Sequence, residues 1–270
     1  MTRSEYAFDP AWAKERERLA AMEHTFDEGS IRNLAAIGVA EGWHCLEVGA
    51  GSGTIASWLC SRVGPTGRVV ATDVDTRFLE RIDHPNLEVR LHDVTSDPLE
   101  EGRYDLVHAR AVLEHLPARD DVVARLVQTV KPGGWLALED FDLTPVLESA
   151  ADAWFARPEE GRELVLKVFR AIRDALTSAG ADLGYGGRLP DVLARHGLVD
   201  IDAELQSRLV RGGTVRADYS RLTIELLRPV LAEHLDDAEL EESIRRHHDP
   251  DTSWMSLPIV AAWGRRPVLG

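Results

Sequence analysis

Glu47, Asp73 and Asp93 lie in or at the end of three short apolar runs, and a glycine-rich turn, Gly49-Ala50-Gly51-Ser52-Gly53, follows the first of them. Glycines in such a turn let the backbone approach a ligand, and the helix that opens beyond it favours negative groups at its N-terminus. The spacing here is G-x-G-x-G. A dinucleotide fingerprint needs G-x-G-x-x-G, and the place of its last glycine is held by Thr54. Glu47 precedes the first glycine by two residues, where an anion repels a diphosphate and attracts a cation. Asp73 is placed to accept hydrogen bonds from both hydroxyls of a ribose, and Asp93 to accept from an exocyclic amine. Three acids along one edge suit a ligand with a ribose, an adenine, an ammonium and a sulfonium, and no phosphate.

These residues act together only if the chain brings them to one sheet edge. Residues 10–39 have a helical period, with Leu19, Met22, Phe26, Ile31 and Leu34 as its apolar positions. Asp27 or Ser30 is placed to cap a second short helix there. Strands are expected at 44–48, 68–73, 87–93, 104–109 and 135–140. Helices are expected at 54–62, 78–82 and 120–130, with turns at 64–67 and 131–134. This alternation, about every 20 residues, is the pattern of successive βαβ units. After residue 142 it stops. Residues 144–188 read as mainly helical, and 190–196 as a helix stopped by Gly197. Residues 199–210 read as a long strand, 216–248 as helix interrupted at Pro229, and 257–263 as a last strand. The expected fold is α/β: a doubly wound, mostly parallel seven-stranded sheet with a helical N-terminal segment and helical lid insertions. One domain is expected overall, made of a helical cap (1–40), a ligand-binding core (41–142) and the rest of the sheet with its lid (143–270).

Composition narrows the partners. Of 270 residues, 31 are Lys or Arg and 46 are Asp or Glu, a formal charge of −15. Nucleic-acid binding rests on neutralising phosphates with cations, so neither nucleic acid nor an anionic membrane surface is an expected partner. Two cysteines, Cys45 and Cys60, make no disulfide framework, and the first ten residues carry no apolar leader, so a cytoplasmic location is expected. A homodimer is a candidate assembly.

Taken in order, these motifs resemble those of class I S-adenosylmethionine-dependent methyltransferases. Glu47-Val48-Gly49-Ala50-Gly51-Ser52-Gly53-Thr54 resembles their first motif, Val69-Val70-Ala71-Thr72-Asp73 the acidic second strand, and His92-Asp93-Val94 the adenine-contacting turn. Tyr104-Asp105-Leu106-Val107 with Ala111-Val112-Leu113-Glu114-His115-Leu116-Pro117 is similar to their fourth strand and the loop after it, and Lys131-Pro132-Gly133-Gly134 to the passage into strand five. The resemblance covers about residues 40–142 and is nearest to the small-molecule enzymes of quinone and natural-product pathways. It implies a Rossmann-like core and S-adenosyl-L-methionine as cofactor. It implies that Gly49, Ala50 and Gly51 pass under the methionine part, that Glu47 holds its amino end and that Arg110 reaches its carboxylate, with His108 as a weaker candidate. Asp73 would take the ribose hydroxyls, Val74 would lie beside the adenine, Asp93 would meet its amine and Val94 its ring. Tyr6, Met22 and Phe26 are candidates for closing over the cofactor, although Met22 and Phe26 also fit a plain helical core.

Methyl transfer is an in-line displacement on an already activated carbon, so alignment and exclusion of water dominate. A phenol, hydroxyl or protonated amine needs a base in addition, and histidine is the usual one. His115, in the loop after the fourth strand, is the candidate, with Glu114 beside it. Asp140 and Phe141, after the fifth strand, edge the acceptor side, and Trp154, Phe155 and Tyr185 are candidates for the acceptor pocket. The acceptor is expected to be a small molecule methylated at O, N or C. The alternative is a protein of this fold that binds the cofactor but works as a non-methylating cyclase or binding protein. His247-His248-Asp249 has no further partner at metal-ligand spacing, so no metal is expected.

Overall fold

A computed structural model of the chain describes residues 14–148 and 157–268. Its first element is one helix, α1 (Glu15–Ile37), closed by Gly38 in the left-handed region. No second helix starts at Asp27 or Ser30, because both side chains are engaged elsewhere, as described below. The βαβ series follows as expected: β1 (His44–Val48), α2 (Thr54–Val63), β2 (Arg68–Asp73), β3 (Leu87–Leu91), β4 (Tyr104–Arg110), α3 (Arg119–Thr129) and β5 (Val130–Phe141). The helix expected at 78–82 shortens to a single 3-10 turn, Leu79–Arg81. Residues 131–134 belong to β5 rather than to a turn, and its pairing with β4 shifts register there.

The second half departs further from the pattern. Among the described residues of 144–188 there are two α-helices, α4 (Thr144–Glu148) and α5 (Arg162–Ser178), and a short 3-10 turn leads into α6 (Leu189–Arg195). The long strand expected at 199–210 is broken into β6 (Val199–Gln206) and β7 (Leu209–Arg211). Between them the Ser207 hydroxyl donates to the Ser256 carbonyl at 2.7 Å and the Arg208 amide to Ser256 Oγ at 2.9 Å, which turns the chain out of the sheet. Then come α7 (Val215–Leu231), α8 (Asp237–His248), β8 (Ser253–Met255) and β9 (Ile259–Arg265). Asp236 and Glu239 form a capping box at the start of α8.

Seven strands make one sheet in the order β3-β2-β1-β4-β5-β9-β6, and β7 and β8 form a separate two-stranded sheet. The first five strands are parallel, whereas β9 runs antiparallel between β5 and β6. The central strands are buried on both faces, which is why β1 reads as a nearly unbroken apolar run. One core layer, around Leu126, Leu136 and Leu189, lies under α3 and α6. Another, around Leu59, Val63 and Leu106, lies under α2. A third joins α1, α5, α7 and α8 through Phe26, Ile172, Tyr219 and Leu240. That helical layer also takes in Phe141, at the carboxyl end of β5, and Ala111, just past β4.

Candidate active site

Ligands in open α/β sheets sit beyond the carboxyl ends of the parallel strands. A cavity of about 730 Å³ lies there. The turn after β1 shapes its floor. Gly49 has φ +65°, a backbone open to glycine, and a Cβ on it would lie 2.3 Å from Val112 Cγ2. The Gly51 amide donates to Asp73 Oδ2 at 2.9 Å, so the glycine turn and the acid at the end of β2 are built as one unit. The Asp75 amide donates to the other oxygen of Asp73 at 3.0 Å. Burial pushes the Asp73 carboxyl above the usual range against these bonds. Asp93, at the turn after β3, is fixed by the Thr95 hydroxyl at 2.6 Å and the Thr95 amide at 2.9 Å. Burial works to raise its carboxyl, the hydrogen bonds from Thr95 work to lower it, and the net shift is downward.

Glu47, Gly49, Ala50, Gly51, Asp73, Val74, Asp93, Val94 and Arg110 all line this cavity, together with Glu114, His115 and Phe141. Val74 is 45% exposed and Leu91 72%, two apolar side chains left open where β2 and β3 end. Such a pair suits the faces of a flat ring. Arg77, the cation on this side of the wall, is taken up by the carboxylate of Asp75 at 2.6 Å. This side of the cavity is therefore acidic and carries an apolar shelf.

Behind Glu47 lies a buried chain of charge. His108 Nδ1 meets Glu47 Oε2 at 2.7 Å and its Nε2 meets Glu139 Oε1 at 3.3 Å. The Ser30 hydroxyl donates to Glu139 Oε2 at 2.7 Å. Arg110 donates to Ser30 Oγ at 2.9 Å and to Asp27 Oδ1 at 2.7 Å. Burial alone would depress the His108 imidazole, but the carboxylates of Glu47 and Glu139 push it up to about 10. His108 does not reach the cavity wall; it holds Glu47 from behind. Asp27 and Ser30, read from sequence as helix caps, tie α1 to this chain.

On the other side, Glu114 Oε2 accepts the Phe141 amide at 2.6 Å, and Glu114 Oε1 lies 3.2 Å from His115 Nε2. The chain enters this loop through Ala111, whose φ of +53° is rare for a residue with a Cβ. Asp140 is not on the cavity wall. It accepts the amides of Val112 and Glu114 at 3.2 and 3.3 Å and so straps the loop from beneath. Burial and the neighbouring Glu114 carboxylate both raise its carboxyl well above the usual range.

Tyr185 is not on the wall either. It belongs to the core under α3, where its hydroxyl donates to Asp120 at 3.1 Å. The glycines around it serve packing: a Cβ on Gly186 would lie 2.2 Å from the Asp140 carbonyl oxygen. Tyr6, Trp154 and Phe155 fall outside the described residues. Met22 lines the cavity, and Phe26 is core, edge-on to Phe141 at 5.4 Å. His247 is buried, with its ring nitrogens facing the Ser243 carbonyl and the Ser220 hydroxyl. Among the described residues no cluster of three or more His, Cys, Asp or Glu is arranged to hold a metal, and no helix is long and apolar enough to cross a membrane.

Several wall residues escape the sequence reading. Glu15, Arg18, Leu19 and Glu23 come from α1, Ile172 and Leu176 from α5, Leu183 from the segment after it, and Tyr219 and Thr223 from α7. Arg18 and Glu15 form a buried pair at 2.7 Å, and Ser52 of the glycine turn donates to Glu23. The i, i+3 and i+4 spacing of Glu15, Arg18, Leu19, Met22 and Glu23 marks one helix face, but nothing in that spacing says which element the face meets.

Residues 6–185 match the family model described as a methyltransferase domain. The chain is 32% identical over 132 residues to methyltransferase str2 of Strobilurus tenacellus, covering 48% of this chain and 47% of that protein. It is 28% identical over 127 residues to the ubiquinone/menaquinone biosynthesis C-methyltransferase UbiE of Pseudomonas putida (strain W619), covering 43% and 50%. It thus spans about half the length of these curated relatives. Its fold matches that of Haemonchus contortus phosphoethanolamine N-methyltransferase 2, solved with S-adenosyl-L-methionine, at a TM-score of 0.52 and 15% identity over 93% of this chain and 52% of that one.

Proposed function

Because the chain belongs to the methyltransferase-domain family, we propose that it is an S-adenosylmethionine-dependent enzyme that methylates O, N or C of a small molecule. One observation carries this reading. A single cavity gathers the glycine turn, the carboxylates of Glu47, Asp73 and Asp93 and the apolar shelf of Val74 and Leu91. That donor set fits a cofactor with a cationic end, a ribose and a base, and offers no phosphate site. The volume lies within the roughly 300–1,000 Å³ of small-molecule sites. The names of the relatives, which include a quinone-pathway enzyme and a phosphoethanolamine enzyme, support a small acceptor.

Bound there, the cofactor supplies an electrophilic methyl group. Glu47, held by His108, takes the ammonium. Gly49, Ala50 and Gly51 leave room for the chain that carries it. Asp73 accepts from the ribose hydroxyls, and Asp93 from the base amine, with Val74 and Val94 against the ring. Arg110 is already matched by Asp27, so it sets the charge around the carboxylate end rather than offering an open fork. His115 accepts the acceptor's proton and Glu114 orients it. Phe141 closes the acceptor side, while Asp140 acts only through the loop it straps. The lid of α1, α5 and α7 excludes water.

Titration calorimetry with S-adenosylhomocysteine tests the reading: one-to-one binding is expected, and no binding at millimolar ligand overturns it. Asp73→Asn should weaken that binding about 10- to 100-fold, the value of one or two hydrogen bonds to a charged group. An unchanged Kd would remove Asp73 from the site.

A further inference from the structure

We propose that the hydroxyl of Tyr219 reads the acceptor, and that the acceptor is a largely apolar, uncharged molecule presenting an oxygen lone pair to it. This rests on the methyl-transfer reading above and names its substrate class. Tyr219 stands on α7, is 9% exposed, and lines the cavity. Its ring is held on two sides, edge-on to Phe26 at 5.9 Å and nearly parallel to Phe141 at 6.4 Å. Phenylalanine would serve that packing equally well. The hydroxyl makes no hydrogen bond to any described residue, and it is not sealed in the core, so on the cavity wall it is open to a partner. A ligand atom in the cavity is its natural partner.

The direction of that bond follows from charge. Burial, reinforced by Glu114 and Glu15 and opposed by Arg18 and Arg110, pushes the phenol up to about 12, so it is a neutral donor near pH 7. A donor meets an oxygen lone pair but gains nothing from an ammonium, which has no acceptor. The charged groups beside Tyr219 that could hold a cation are engaged. Arg18 lies 6.0 Å from the centre of the Tyr219 ring. Glu15 is matched by Arg18, and both oxygens of Glu114 are occupied, one by the Phe141 amide and the other facing His115 Nε2 at 3.2 Å. The surrounding wall is Leu143, Ile172, Leu176, Leu183 and Leu257, which favours an apolar body.

The test uses naphthol and naphthylmethylammonium as probes, titrated into the full chain with and without saturating S-adenosylhomocysteine. Naphthol should bind, and the ammonium should bind at least tenfold more weakly. Tyr219→Phe should weaken naphthol about tenfold, the value of one hydrogen bond. Its melting temperature and its affinity for S-adenosylhomocysteine should match those of the parent protein, which separates recognition from folding. The inference is overturned if naphthol does not bind, if Tyr219→Phe binds it as tightly as the parent, or if the ammonium binds as well. Failure with S-adenosylhomocysteine bound strikes only Tyr219, whereas failure of S-adenosylhomocysteine itself to bind strikes the methyl-transfer reading.

Discussion

Replacing His115 with glutamine should slow methyl transfer about 10²- to 10⁴-fold, the usual range for a lost general base, and leave S-adenosylhomocysteine affinity within about twofold. The expectation comes from how the side chain is held. His115 sits on the cavity wall at the end of the short turn after β4, with Nε2 3.2 Å from Glu114 Oε1. Glu114 cannot swing away, because its other oxygen accepts the Phe141 amide at 2.6 Å. The loop beneath is strapped by Asp140. A nitrogen base oriented by a buried carboxylate is the arrangement that proton removal from a neutral oxygen requires. Glutamine keeps the bulk and a polar group facing Glu114 but cannot take a proton at neutral pH.

The measurement is single-turnover formation of S-adenosylhomocysteine with an acceptor that the parent protein methylates, alongside calorimetric binding. A variant at full rate would mean that the acceptor arrives already ionised or needs no base, and His115 would then be a wall residue. Glu114→Gln separates the two partners. If Glu114 only orients His115, its loss should cost less than that of His115. A larger loss would make Glu114 itself the base.

The part of the cavity wall around Glu47, Asp73 and Asp93 was legible in the sequence because its elements are local. Glu47 and Gly49 are two residues apart, and Asp73 and Asp93 each end a strand of an alternating series, so the order of elements alone places them on one edge. The wall around Tyr219 is not local. Tyr219 reaches the cavity because α7 packs on α1, a contact between elements about 200 residues apart in the sequence. Arg18 and Glu23 look like ordinary solvent-facing positions until the glycine turn is set beside them. The misplacement of Tyr185 has a definite cause. Glycines at 184, 186 and 187 suggest a loose binding loop, whereas Gly186 is there to let the chain pass within van der Waals reach of the Asp140 backbone. The antiparallel β9 was equally hidden, since an apolar run of its length reads the same in either direction.

His108 is the residue whose loss should cost the fold most. Three carboxylates, Glu47, Glu139 and Asp27, face two cations, His108 and Arg110, along one buried chain. The sum is one unmatched negative charge, and of the carboxylates only Glu47 reaches the cavity. A cationic ligand in the cavity would neutralise that charge. Removing the imidazolium leaves Glu47 and Glu139 facing each other uncompensated, and breaking such a buried pair typically costs about 3–5 kcal/mol. His108→Leu should therefore lower the melting temperature by about 10 °C at neutral pH. The pH dependence has a definite sign. The folded imidazole titrates near 10, above the ordinary value of about 6.5, so its stabilisation is complete below about pH 6.5 and is lost as pH rises through 10. The gap between parent and variant should accordingly narrow on the alkaline side. Glu139→Gln in the His108→Leu background should recover part of the loss, because it removes one of the two opposed carboxylates. A His108→Leu protein that melts within 2 °C of the parent, below the roughly 10 °C set by the pair, would show that the chain carries no net charge worth holding.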